Sequence, residues 1–267
     1  MDKSNTYSNV GAWVLIHAPT HRPDVRVPLV FCTGTLIHPR VVLTAAHCTA
    51  FLEAEIALGH ITLDDNLRFS FAVNAFDPGT WLEIEDVITH PDYQPARDPG
   101  DLGNNPHMND VGVIILKKPV NTRKVPLATL PYAGFLDDLQ AAGLLREPSE
   151  GGQRFTVAGY GTTLDWPPPE SIPDDGWRRF AQTEYLALTE TWLHTLQNLA
   201  TGNGGTGYGD SGGPTFWVAP DGTLVLVAVT SRGDPNLVAD NIAWRVDIPE
   251  TLDFINWVIS EVNEGRL

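Results

Sequence analysis

The chain of 267 residues is short of cysteine, with two, and short of cations, with 17 lysines and arginines against 33 aspartates and glutamates. Two cysteines exclude a cysteine-ligated zinc cluster and a multiply bridged disulfide scaffold. A formal net charge of −16 argues against nucleic acid or an anionic membrane surface as a partner, because both are held by cations. No stretch is apolar enough to span a membrane as a helix, and Met1 to Asn9 is polar, so no signal peptide is visible. No H-E-x-x-H sequence offers zinc another site. What the chain does have is 42% hydrophobic residues, enough for a substantial core in one large domain or two small lobes. Its 24 glycines and 21 prolines imply frequent turns and argue against a long all-helical fold.

Three segments carry chemistry: Gly209-Asp210-Ser211-Gly212-Gly213-Pro214, Leu43-Thr44-Ala45-Ala46-His47-Cys48 and Asn109-Asp110-Val111. A serine hydroxyl is a poor nucleophile at neutral pH and needs an imidazole to take its proton. The imidazole needs a buried carboxylate to fix its tautomer and stabilise the cation. Ser211, His47 and Asp110 supply these parts, and the small residues around Ser211 allow a sharp turn that presents N–H groups to an oxyanion. Asp110 taken alone reads as a surface acid that starts a strand. Its weight comes from the other two motifs and from the apolar run Val111 to Leu116 behind it, which Asp92, Asp98 and Asp101 lack.

Two other patterns fail on context. Gly209-Asp210-Ser211-Gly212-Gly213 satisfies G-x-S-x-G, but an α/β-hydrolase needs its histidine after the serine. All 8 histidines, His17, His21, His38, His47, His60, His90, His107 and His194, precede Ser211. Gly202 to Gly207 satisfies G-x-G-x-x-G, yet it runs into the serine loop without the strand and helix that dinucleotide binding requires.

At these residues the chain resembles the trypsin-like (chymotrypsin-family) serine peptidases, from about Trp13 to Val258. The resemblance implies His47 as general base, Asp110 as orienting carboxylate and the N–H groups of Gly209 and Ser211 as oxyanion hole. It pairs Cys32 with Cys48 beside the histidine. A disulfide implies an oxidising compartment, so a secreted protein, extracellular or periplasmic, is expected, its mature region carrying an added initiator Met. Two free thiols in a cytosolic protein are the alternative. The expected substrates are proteins or peptides and the further partners protein inhibitors; a monomer without cofactor is expected. A catalytically silent relative acting as a binding module is the competing function.

The fold so implied is all-β: two six-stranded antiparallel Greek-key β-barrels with the active site in the cleft between them, plus a C-terminal α-helix. Strand-like runs at Trp13 to His17, Val25 to Phe31, Thr35 to Ile37, Val41 to Thr44, Glu55 to Leu58, Phe69 to Val73, Glu83 to Thr89 and Val111 to Leu116 would build the first barrel, over 11–135, carrying His47 and Asp110. Arg154 to Ala158, Arg178 to Leu188, Thr215 to Val218, Leu224 to Thr230 and Ile242 to Val246 would build the second, over 150–248, carrying Ser211. A linker is expected within Leu130 to Gly151. One helix is predicted behind a Thr189 cap, with Trp192, Leu193, Leu196 and Leu199 at helical spacing. A second, over 249–263, places Leu252, Ile255, Val258 and Ile259 on one face.

Counted back from Ser211, the base of the substrate pocket falls on Gly205 and Thr206, with Tyr208, Ser231, Arg232, Gly233 and Asn241 as further substrate-binding positions. No full negative charge meets a cationic side chain there, and Thr230 stands where glutamate-specific relatives carry histidine. Cleavage after uncharged, small to medium side chains is therefore expected. Gly207 replaces a cysteine common in the family, removing a bridge from the pocket wall. In the family the Asp before the serine meets an ammonium group freed by activation. Met1-Asp2-Lys3-Ser4 offers no such sequence, so Asp210 is expected to meet a terminal ammonium, an arginine or a cluster of backbone donors. Asp64, Asp65, Asp98 and Asp101 lack ordered spacing for calcium, and His60 stands where pancreatic relatives place a calcium-binding glutamate, so no metal is expected. The loops Asp165 to Gly176 and Tyr93 to His107 border the substrate cleft in the resembling family.

Overall fold

The computed structural model describes residues 1–18, 21, 25–96, 107–146, 153–165, 170–172, 175–234 and 236–267. Asp98, Asp101 and the proline run 167–169 lie outside the described residues. Two six-stranded antiparallel sheets dominate. The first contains β1 (Val10–His17), β2 (Val27–His38), β3 (Val41–Thr44), β4 (Leu67–Ser70), β5 (Ile84–Thr89) and β6 (Gly112–Leu116), in the order β4-β1-β2-β3-β6-β5. The second contains β7 (Arg154–Gly159), β10 (Arg179–Leu188), β11 (Trp192–Leu196), β12 (Pro214–Val218), β13 (Leu224–Gly233) and β14 (Asp240–Arg245), and it closes on itself. Renumbered within its own sheet, each reads 4-1-2-3-6-5, so both contain the 4-1-2-3 Greek key. A small hairpin, β8 (Thr163–Asp165) with β9 (Glu170–Ile172), stands apart.

Three strand expectations change. The first sheet is a half-barrel, since β4 does not pair with β5 and meets only the chain ahead of it through an isolated bridge, Phe69 to Leu82. Between them the chain turns through a 3-10 segment at Pro78–Thr80, where proline removes a ladder donor. Val25 to Phe31 and Thr35 to Ile37 form the single strand β2, whose register with β1 slips between Trp13 and Val14. Glu55 to Leu58 is not a strand: the helix α1 (Ala46–Ala57) contains most of it and buries Cys48, Thr49 and Leu52, a three-to-four-residue spacing that fits a helix.

The helix expected after Thr189 is also corrected. β11 occupies it, hydrogen-bonded between β10 and β14. Trp192 packs edge-on against Trp244, ring centroids 4.9 Å apart, while Leu193 enters a separate core with Phe155, Tyr185 and Ala243. Adjacent residues bury on opposite faces of the sheet, and that imitates helical spacing. Thr189 still caps, but caps a hairpin, accepting from the Trp192 N–H at 3.0 Å.

Three further helices complete the fold: α2 (Leu63–Asn66), α3 (Phe135–Ala141) and α4 (Pro249–Asn263). In α4, Pro249 begins the helix, where its missing N–H costs nothing, and Thr251, Phe254, Ile255, Val258 and Val262 face the core. Each large apolar side chain so buried contributes roughly 1.5–3 kcal/mol. Among the described residues no helix is long and apolar enough to cross a membrane.

The two sheets are held together by buried polar groups as well as by apolar contact. Tyr160, at the end of β7, donates to the carbonyls of Val10 and Ala72 at 3.2 and 2.6 Å. Arg178 and Asp2, neither exposed at all, pair at 3.0 Å, and Arg178 also donates to Val10 and Phe71 carbonyls. The segment Ala128–Thr129 bonds to Leu36 on one side and to Leu226 on the other.

Candidate active site

His47 is the second residue of α1, and the preceding Ala45 offers no side-chain cap. Its amide is one of the first-turn donors without an intrahelical acceptor. Asp110, arriving from just before β6, fills that place: its Oδ1 accepts from the His47 amide at 2.8 Å, and its Oδ2 lies 2.9 Å from His47 Nδ1. The carboxylate thus caps the helix, where negative charge is favoured, and holds the ring on the same helix. Asn109 takes a left-handed φ of 51°, which asparagine tolerates, to aim Asp110 inward. Asp110 has no exposure, and Ser231 on β13 donates its hydroxyl to Oδ2.

Ser211 lies on the loop before β12. Thr33 on β2 fixes it from across the interface, donating its amide to the Ser211 carbonyl at 2.8 Å and its hydroxyl to the Gly209 carbonyl at 2.9 Å. Gly209 and Gly212 have φ of 99° and 81°, and a Cβ on Gly212 would stand 2.1 Å from Thr44 Oγ1, so the turn requires glycine at both places. Asp210, Gly212 and Gly213 amides have carbonyl acceptors; those of Gly209 and Ser211 have none among the described residues. The Cys32–Cys48 disulfide ties the first turn of α1 to β2. Cys48 Sγ lies 3.9 Å from the Ser211 carbonyl and within 4.8 Å of a His47 ring nitrogen, which sets the serine beside the histidine. Ser211 Oγ itself makes no hydrogen bond among the described residues, a looseness common before substrate binds.

The electrostatics follow from this placement. Burial pushes the His47 pKa down, but the charge and hydrogen bond of Asp110 more than reverse this and hold it above the ordinary value. Burial pushes Asp110 up, and His47, His107 and the Ser231 hydroxyl bring it below the usual carboxylate range. Asp210 goes the other way: burial pushes it up to about 6, against the N–H groups of Gly207, Gly161 and Tyr160 and the charge of Arg179. The Gly161 and Gly207 amides each donate to it at 2.8 Å. Of the partners expected for Asp210, backbone donors are present, and among the described residues it has no ion pair.

Of the expected pocket residues, Thr206, Tyr208, Ser231, Arg232 and Gly233 line a cavity of about 220 Å³ in front of Ser211. Gly205 lies instead in a neighbouring cavity of about 250 Å³ beside Asp210. Asn241 is fully buried and accepts from Thr206 Oγ1 at 2.7 Å. The chain's Cys32, His47 and Cys48 place ligand-type atoms together, but the sulphurs are bonded to each other and offer no thiolate to a metal. Asp64 pairs with Lys117, and Asp65 accepts from Thr62. His107 and Gln197 escaped sequence reasoning. His107 stacks on His47, and Gln197 reaches the Thr206 amide, through contacts that no local spacing announces.

Comparison with known proteins agrees with the fold. The sequence profile of the family described as Trypsin matches residues 20–258. A protein named trypsin from Saccharopolyspora erythraea is 30% identical over 205 residues, covering 76% of each chain. Vitamin K-dependent protein C of Rattus norvegicus is 29% identical over 255 residues, 87% of this chain but 46% of that protein. The chain belongs to the trypsin family of serine proteases.

Proposed function

We propose that the protein is a serine endopeptidase that hydrolyses proteins or peptides through an acyl-enzyme. Ser211 Oγ attacks the scissile carbonyl carbon while its proton passes to His47 Nε2. The carbonyl oxygen, now an anion, is met by the Gly209 and Ser211 amides. His47 then gives the proton to the departing amine, and a water molecule, deprotonated by His47 in turn, releases the acyl group and restores Ser211. Asp110 keeps the proton on Nδ1 and stabilises the imidazolium.

The observation carrying this reading is the buried Asp110 held against both His47 Nδ1 and the His47 amide. The Cys32–Cys48 disulfide supports an oxidising, secretory destination. A silent binding module is the second reading, favoured by the absence of an ion pair for Asp210 among the described residues. A fluorophosphonate probe distinguishes them. Labelling mapped to Ser211 by mass spectrometry, lost in Ser211→Ala and accompanied by peptide hydrolysis, is expected; an unlabelled, folded protein would establish the silent module.

A further inference from the structure

Near the cavity in front of Ser211, two buried polar atoms find no partner among the described residues: Thr230 Oγ1 and Gln197 Nε2. Both residues are 3% exposed. Thr230 lines the cavity directly. Gln197 follows β11 and lines the neighbouring cavity beside Asp210. Its Oε1 accepts from the Thr206 amide at 3.0 Å. An amide N–H can only donate, so this contact fixes which end of the carboxamide is oxygen and turns the NH₂ the other way. That NH₂ faces Gly233, where a Cβ would stand 3.4 Å from it, and a Cβ on Gly205 would strike Gln197 Oε1 at 2.1 Å. The carboxamide lies against Gly205, Thr206 and Gly233, and Thr206 and Gly233 both line the cavity in front of Ser211.

The remaining groups are neutral or engaged. Thr206 Oγ1 is spent on Asn241. The Asp234 carboxylate, the one acid lining the cavity among the described residues, accepts from the amides of Asn236, Val238 and Ala239 in its own loop. Arg232 lies over the Trp192 ring, 5.9 Å from its centroid. A lysine or arginine side chain would lose its hydration without gaining an available carboxylate. An apolar side chain would leave the orphaned donor and hydroxyl unpaired. A neutral carboxamide supplies an acceptor for Gln197 Nε2 and a donor for Thr230 Oγ1 together.

We propose, resting on the serine-peptidase reading above, that this cavity is a pocket for a carboxamide side chain, so that the protein cleaves after glutamine or asparagine. Sites that hydrogen-bond a substrate group reject analogues lacking it more strongly than apolar pockets reject a methylene. The test compares kcat/KM on quenched peptides that differ only in the residue before the scissile bond: Gln, Met, Glu or Lys. Gln is expected to exceed the similarly sized Met by about tenfold or more, with Glu and Lys below Met. In Gln197→Leu the Gln-to-Met ratio should collapse toward one. In Gln197→Glu the Lys peptide should gain relative to Gln, a gain that misfolding cannot produce. Hydrolysis led by Lys or Met, or a Gln-to-Met ratio unmoved by Gln197→Leu, would overturn the pocket assignment while the fluorophosphonate still labels Ser211. Failure to label Ser211 would overturn the underlying reading and the pocket with it.

Discussion

The imidazole of His107 stacks on that of His47, ring centroids 5.3 Å apart and planes 30° from parallel. Tyr93 stacks on His107 in turn, at 5.9 Å and 12°. His107 Nδ1 lies 2.8 Å from the Tyr93 hydroxyl and accepts the Ala96 amide at 3.2 Å, which places the His107 proton on Nε2. Burial holds its pKa below the ordinary value, reinforced by the charges of His47 and Arg232 against the pull of Asp110. As pH falls, His47 therefore takes up its proton before its stacking neighbour does. His107→Lys puts a fixed cation there and should move the acid limb of kcat/KM to lower pH, whereas His107→Phe, which keeps an uncharged ring, should not. A pH profile unchanged by lysine would show that the stack carries no electrostatic weight.

The acid limb itself reports His47. In the proposed mechanism the base must be neutral to act, so activity is expected to rise with pH through the His47 pKa. Because that pKa is raised above 6.5, the midpoint is expected on the alkaline side of the reference histidine value. Asp110→Asn removes the charge that raises it and leaves burial, which lowers it. The midpoint should fall while kcat drops by roughly 10⁴, since an amide no longer enforces the tautomer. A midpoint that stays put would mean that another group titrates.

A different ion pair governs folding. Arg178 and Asp2 are both fully buried, and Asp2 also accepts from the amides of Thr6 and Tyr7 at 2.8 and 3.0 Å. Burial pushes the Asp2 carboxyl up, but these amides and Arg178 bring it below the ordinary carboxylate value of 3.8. Its stabilising contribution is thus present above that value and lost as pH falls through the lower folded pKa. Asp2→Ala strands the guanidinium and should cost about 3–5 kcal/mol, read by denaturant unfolding at neutral pH. Replacing both partners with apolar residues should recover much of the loss. A single variant as stable as the parent would mean that the pair contributes nothing.

The contrast between these sites marks what the sequence could disclose. His47, Asp110 and Ser211 sit in short motifs whose residue types state their chemistry, and the strands around them announce themselves as apolar runs. Trp192 and Leu193 do not, because two cores take adjacent residues of one strand. Asp2 and Arg178 are 176 residues apart in the chain, and nothing local distinguishes a buried arginine from its half-buried neighbour Arg179. The same holds for Gln197, which becomes a pocket residue only once β11 is known to be a strand that delivers it behind Gly205 and Gly233. Alternation along a strand is legible in one dimension; the partner across the interface is not.

The last expectation concerns Asp210. Its folded pKa of about 6 lies above the unfolded carboxylate value near 3.9, the reverse of Asp2. Below the unfolded value both states are protonated and the group is neutral toward stability. As pH rises toward 6 the unfolded chain ionises first, so stability is lost across this window and the loss is constant above it. Asparagine cannot ionise, and it can still accept from the Gly161 or the Gly207 amide. The thermal midpoint of Asp210→Asn minus that of the parent should therefore become more positive between about pH 4 and pH 7. Comparing the two proteins at each pH cancels the titration of Asp2 and the other carboxylates. A difference that instead turns more negative with rising pH would show that a cation meets the ionised carboxylate in solution. The loop carrying Ser211 would then be held by an ion pair rather than by backbone donors.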